Sequence, residues 1–329
     1  HYRHPGMRLR RGTIRTDGFV SLHAGGEEGE MLTRPLIFSG DRLEVNYREE
    51  RALEEHTQSI DRLLAEADEE PMAAFRTAVS ALSASDPAED VPPDDRDAAR
   101  RAGRRIAAKM PTILAAYDRL RNGLDPIAPR SDLGHAANFL YMLTGEEPSA
   151  VHEAAFDMAL VLHADHGLNA STFTTMVVAS TYADMYNAVT AGIGALSGPW
   201  HGGANQDVME TLAEIDAAGE DPADWAAKTL EAGERIPGFG HRVYKVKDPR
   251  ARLLEEQADA LVKETGRTKW FDMVRAIEHY LTDAAELPAK GIAPNVDFYS
   301  GTVYEALGIP VDLFTPIFAV SRVGGWVAH

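Results

Sequence analysis

The sequence predicts a mainly α-helical protein with a short β-rich segment at its start. Three observations carry that prediction. From about residue 48 onward, apolar residues recur at a helical period of about 3.6 residues. Glycine and proline punctuate that pattern at lengths suited to helices. Only residues 1–47 read differently, as short alternating runs broken by glycine.

Those first runs are "TIRT", "FVSLHA", "LTRPLIF" and "LEVNY", with "SGDR" as a turn. In "RALEEHTQSIDRLLAEA", Leu53, Ile60, Leu63 and Leu64 fall on one helical face. "PMAAFRTAVSAL" opens with Pro71, acceptable in a first turn, and lines up Met72, Phe75, Val79 and Leu82. The polar connector "DPAEDVPPDDRD" leads to a basic helix, "RDAARRAGRRIAAKM", expected to stop at Pro111. "HAANFLYMLTG", "AVHEAAFDMALVLHADHG", "ASTFTTMVVASTYADMYNAVTAGIGALSG" and "NQDVMETLAEID" continue the helical series. No repeat of solenoid period occurs.

Composition narrows the function classes. The 329 residues suffice for two domains, and 44% apolar residues can fill a sizeable core. With 51 acidic and 33 basic residues the net charge is −18, which argues against a nucleic-acid binder. A small anionic ligand needs only a local basic pocket. There is no cysteine, so disulfides, thiolate catalysis and zinc–sulfur sites are excluded, and a reducing cytoplasm fits. No apolar run is long enough to span a membrane. "HYRHPGMRLRRG" has neither the apolar core of a signal peptide nor an initiator methionine.

Four polar islands interrupt the helices: "HADHGLNAS" (163–171), "GPWHGGANQ" (198–206), "GFGHRVYKVKDPR" (238–250) and "NVDFYSG" (295–301). Each has a bland reading. His163 and His166 could be core histidines, His201 and His241 turn residues, and Asp297 a helix N-cap. Arg242, Lys245, Lys247 and Arg250 could be a solvated face. His163 and His166 could also begin a metal site in a helical hydrolase, although no HExxH pattern supports one. Taken together, two histidines in glycine turns, an isolated aspartate and a basic cluster form an acid–base set with an anion cradle. That set suits proton abstraction beside a carbonyl and carbon–carbon bond formation. Without a cysteine or a serine elbow, it suits nucleophilic hydrolysis less.

These islands, with "SRVGGWVAH" at 321–329, resemble the motifs of the citrate synthase family, in family order, over about residues 50–329. "PMAAFRTAVSAL" and "AANFLYMLTGEEP" resemble its large-domain helices. The resemblance implies a large helical domain over 48–202 and 309–329, and a small one over 203–308. It implies catalysis by His201, which holds the thioester carbonyl of acetyl-CoA, Asp297, which removes the methyl proton, and His241, which protonates the oxaloacetate carbonyl. His166, Asn169, Arg250 and Arg322 would bind oxaloacetate. Ile236, Pro237, Gly238, Phe239 and Gly240 would hold the adenine of coenzyme A, with Lys245 near its phosphates. No permanently bound cofactor and no metal is implied; acetyl-CoA is a co-substrate.

The resemblance further implies a homodimer formed through large-domain helices, including "NFLYML" and "TFTTMVVASTYADMY", and a closing motion of the small domain. Activity on propionyl-CoA, as in 2-methylcitrate synthase, is the alternative on the same fold. Three departures stand out. Residues 1–47 do not match the family's N-terminal segment. The family's C-terminal tail, which lends an arginine to the partner's site, has no counterpart, so an inactive truncated or chimeric member is a further expectation. Trp200 stands where an aliphatic residue is usual.

Overall fold

A computed structural model describes residues 70–84, 95–241 and 243–329. The β-rich reading of 1–47 and the helix read from "RALEEHTQSIDRLLAEA" lie outside the described residues. Within them the fold is helical, with no β-strand and one isolated antiparallel bridge, Phe239 to Pro294.

The helices are α1 (Pro71–Ala81), α2 (Arg96–Arg121), α3 (His135–Thr144), α4 (Ala150–Ala164), α5 (Ala170–Ala179) and α6 (Met185–Leu196). They continue with α7 (Ala204–Ala218), α8 (Pro222–Glu231), α9 (Pro249–Thr265), α10 (Lys269–His279), α11 (Asp297–Ala306) and α12 (Phe314–Ala328). Short side chains start many of them. Asp95, Ser149, Asn169, Asp184, Asp221 and Asp248 each accept a backbone N–H from the first turn they cap. Each such cap stabilises its helix by about 0.5–2 kcal/mol.

Two sequence expectations change. Helix α2 does not stop at Pro111; it runs on to Arg121. Proline removes one backbone N–H, but Met110, Ile113, Leu114 and Tyr117 are buried on either side, and that burial outweighs the lost bond. The long run from Ala170 to Leu196 is two helices, broken without glycine or proline at Tyr182, whose φ is +62°.

Helix α12 is the hub, packing against α1, α2, α4, α5 and α6. Ile317, Ala319, Val320, Val323 and Trp326 are all buried along it. A second group forms around α11, which packs on α7 and α9. Helix α9 also packs on α4, joining the groups. "NFLYML" in α3 is part of the protein's own core: Phe139 and Met142 are fully buried, and Tyr141 is half-buried.

Candidate active site

The first island is a turn after α4. Asp165 is extended and Gly167 has φ +60°, a conformation that favours glycine. His166, between them, is carried out of the helix. Its ring meets His241 edge to face at 5.2 Å, and its Nε2 lies 3.4 Å from the Tyr244 hydroxyl. Burial, with Arg250 next in effect, lowers its pKa to about 3, so the ring is neutral. Asn169 is placed differently from its expected role. Its Oδ1 accepts from Thr172 N and the Ser171 hydroxyl, and its Nδ2 donates to Gly167 O and the Thr172 hydroxyl. All its polar capacity goes to capping α5.

His201 sits in the turn between α6 and α7. Its Nε2 accepts the backbone N–H of Ser171 at 3.1 Å. A nitrogen that accepts an N–H carries no proton, so the neutral ring has its proton on Nδ1. The Ser171 hydroxyl lies 2.9 Å from the same Nε2 and accepts from Trp326 Nε1 at 3.1 Å. Burial first, then Arg322, lowers the His201 pKa, keeping the ring neutral.

The basic island is the loop from α8 into α9. Gly238 has φ +75°, and a Cβ there would meet Phe298 at 2.7 Å. Only glycine permits this approach, which lets Phe239 stack edge-on against Phe298 at 4.7 Å. Ile236 is buried and Pro237 half-buried. Asn295 ties the loop down, donating from its backbone to Gly238 O and from Nδ2 to Gly240 O. His241 Nδ1 accepts from Val243 N at 2.9 Å and Tyr244 N at 3.3 Å, so its proton sits on Nε2. Burial, then Arg250, lowers its pKa. Lys245 is exposed and donates to His241 O. Arg250 is bound by Asp248, a fully buried carboxylate 2.7 Å from Nη2 and 3.1 Å from Nε.

Asp297 opens α11, but not as an N-cap. Val296 holds that position, and the Asp297 backbone N–H is itself capped by Asn295 Oδ1 at 2.9 Å. The carboxyl is free for other work. Burial raises its pKa to about 6, against the pull of Arg250 and Arg322. Arg322, deep in α12, is 2% exposed. Its Nε donates to His163 O at 2.7 Å and Phe318 lies under its guanidinium, yet no carboxylate pairs with it among the described residues. A buried cation without a counter-ion is costly and marks a place for an anion.

Six of the expected residues, His166, His201, His241, Arg250, Asp297 and Arg322, are linked by contact or by charge. Arg250 and Arg322 act on both His166 and Asp297, His241 touches His166, and His201 feels Arg322. His163 does not join them through its ring. It is fully buried, donates from Nδ1 to Ala159 O and packs on Phe318. No group of three or more His, Asp or Glu side chains among the described residues is placed to hold a metal.

Residues 39–329 match the family described as citrate synthase, C-terminal domain. The chain belongs to the citrate synthase family. A citrate synthase of Haloferax volcanii is 55% identical over 282 residues, covering 85% of this chain and 73% of that one. The crystal structure of citrate synthase from Pyrobaculum aerophilum superposes with TM-score 0.75 at 40% identity, covering 85% of this chain and 71% of its own. A citrate synthase from Thermoplasma acidophilum, solved as a ternary complex with carboxymethyl coenzyme A and oxaloacetate, superposes with TM-score 0.74 at 31% identity. It covers 82% of this chain and 71% of its own.

Within this citrate synthase fold, sequence reasoning missed Ser171, Trp326, Tyr244 and Asp248. Asp248 had a signal: an aspartate before Pro249 is a helix start, and such a residue can cap and pair at once. Ser171 and Trp326 had none, since their contact spans 155 residues.

Proposed function

We propose that the protein condenses acetyl-CoA with oxaloacetate to give citrate and free coenzyme A. The observation that carries this reading is Asp297: a carboxyl held at about 6, freed from helix capping, in the field of two arginines. A base tuned near the working pH suits proton abstraction from carbon. Asp297 takes a proton from the thioester methyl as the C–H bond breaks. His201 donates from Nδ1 to the oxygen of the forming enol. The enol carbon attacks the oxaloacetate carbonyl, and that oxygen receives the proton of His241 Nε2. Water then cleaves the citryl thioester, releasing the thiol. A neutral donor aimed at the developing oxyanion contributes about 3–4 kcal/mol.

Arg322 and the side of Arg250 not taken by Asp248 hold the carboxylates of oxaloacetate, with His166 beside them. Asn169 acts on this site through the α5 cap. The segment Ile236–Gly240 takes the adenine, and Lys245 reaches the phosphates once it leaves His241 O. Residues 48–202 and 309–329 form a large domain and 203–308 a small one, which closes on the substrates. The packing of α11 on α7 and α9 supports that division, with α9 against α4 as the seam.

A homodimer fits the α5–α6 hairpin. Phe173, Val177 and Tyr182 are 59%, 50% and 77% exposed along it, and Trp200, in the turn after α6, is 94% exposed; clustered exposed apolar side chains mark an interaction surface. A cytoplasmic setting suits the cysteine-free chain, and no helix among the described residues is long and apolar enough to cross a membrane. The propionyl-CoA alternative is the weaker reading, because the relative at 55% identity is a citrate synthase. The test is thiol release on mixing oxaloacetate with acetyl-CoA or propionyl-CoA. Faster turnover of acetyl-CoA is expected; a preference for propionyl-CoA would reverse the assignment.

A further inference from the structure

We propose that Lys247 is a positioning residue for oxaloacetate binding: its ammonium pins the end of the loop between α8 and α9, so that Asp248 and Arg250 enter α9 in a fixed place. The inference rests on the reading above, in which Arg250 holds a carboxylate of oxaloacetate. In the sequence, Lys247 counts among the four basic residues of an anion cradle. The fold takes it out of that cradle. Its Nζ donates to Glu255 Oε2 in α9 and to Glu278 Oε1 in the last turn of α10, both at 2.7 Å. It also stands 4.8 Å from the centre of the Tyr299 ring in α11. The Tyr299 hydroxyl donates to the other oxygen of Glu278. The Lys247 side chain is 18% exposed. An ammonium enclosed by two carboxylates and an aromatic face is spent within the protein rather than on a ligand.

The pin sits beside the residue that orients Arg250. Asp248 follows Lys247 directly, is fully buried, caps α9 and accepts from Nε and Nη2 of Arg250. Its backbone N–H is tied to Pro294 O at 3.0 Å. An isolated surface ion pair contributes little. Here one lysine bridges residues 8 and 31 positions away and joins the loop end to three helices. The contacts of Lys247 are with Glu255, Glu278 and Tyr299, none of which is assigned to the chemistry. Its effect therefore has two routes. One runs along the chain to Asp248 and Arg250 and shows as lost oxaloacetate affinity. The other runs through Tyr299 to α11, where Asp297 stands two residues earlier, and shows as lost turnover. The chain route dominates, because a covalent neighbour moves with its pin, whereas α11 is held by its own packing on α7 and α9.

The test uses the full chain and the variants Lys247→Met, Lys247→Arg and Tyr299→Phe. Oxaloacetate Kd is measured by calorimetry, kcat and the acetyl-CoA KM at saturating oxaloacetate, and Tm in parallel. For Lys247→Met the oxaloacetate Kd rises roughly tenfold while kcat and the acetyl-CoA KM stay within about threefold. Lys247→Arg keeps the cation and donors for both carboxylates, and its Kd returns to within about threefold of wild type. Tyr299→Phe removes the bond to Glu278 and lowers Tm, but leaves both bonds of Lys247, so its Kd stays within about twofold of wild type. An unchanged Kd in Lys247→Met, or Arg no better than Met, overturns the inference. So does a Kd that rises in Tyr299→Phe as much as in Lys247→Met, which is the pattern of a merely structural cluster. A rise confined to the acetyl-CoA KM overturns it too, and returns Lys247 to the anion cradle. If Lys247→Met does not fold, Glu278→Gln decides: a Kd about threefold above wild type is expected, and an unchanged one overturns the inference. Absence of oxaloacetate binding by the wild type instead overturns the functional reading, and the inference with it.

Discussion

The two histidines assigned to the two substrates are held in opposite ways. His201 is fixed by the scaffold: its Nε2 is bound by Ser171, thirty residues away in sequence, and Ser171 is bound by Trp326 from the central helix. His241 is fixed by its own loop, through Val243 and Tyr244. Both arrangements impose a tautomer, and they impose opposite ones, Nδ1–H on His201 and Nε2–H on His241. The difference teaches which half of the site can move. A histidine tied only to its neighbours keeps its tautomer while its loop travels; one tied to a distant helix cannot travel without losing it. The loop between α8 and α9, which carries His241, is therefore the half suited to closing.

The comparison can be tested by removing each support in turn. Among those supports, the largest effect on turnover belongs to the scaffold-held ring itself. His201→Ala loses the oxyanion donor, and kcat should fall about 10²–10³-fold in a thiol-release assay with the oxaloacetate Kd little changed. Next is Asp297, whose tuning costs stability. Its folded pKa of about 6 lies above the ordinary 3.8. The folded state therefore holds the proton more tightly between those values. The stability this gives is full below 3.8 and is lost as pH rises through 6. Asp297→Asn should raise unfolding stability by about 2–3 kcal/mol at neutral pH and hardly at all near pH 4, as read by urea denaturation.

A smaller change is expected on the support of His201. Ser171→Ala leaves the backbone N–H in place, so the tautomer survives and kcat falls only about threefold, but the Trp326 N–H loses its acceptor. Stability should drop by about 1–3 kcal/mol. A collapse of kcat instead would mean that the hydroxyl, not the N–H, sets the ring. Smallest is Tyr244→Phe, which removes a long contact between the mobile loop and His166 in the turn after α4. The oxaloacetate Kd should change less than about fivefold; a larger loss would show that the loop is rigid rather than closing.

Much of this was legible in the sequence, for physical reasons that differ by residue. His166, His201, His241 and Asp297 stand in short polar runs between helices, where a glycine or a cap announces a turn. Arg250 stood out from its basic neighbours only through the resemblance of "KDPR" to a family motif. What stayed hidden was the pairing. No spacing shows that Ser171 addresses His201, that Asp248 occupies one edge of Arg250, or that Asn169 spends its amide on a helix cap. Such contacts are made by folding and have no local period. The continuation of α2 through Pro111 was hidden for the same reason: a local rule was overridden by burial of Met110 and Leu114.

The central claim is that Asp297 moves the methyl proton and does not build the oxaloacetate pocket. Asp297→Asn tests it most directly, with thiol release and oxaloacetate calorimetry on the same preparation. The account predicts a fall in kcat of about 10³-fold or more with the oxaloacetate Kd within about threefold of wild type. Equal loss of turnover and binding would contradict it and make Asp297 a structural residue.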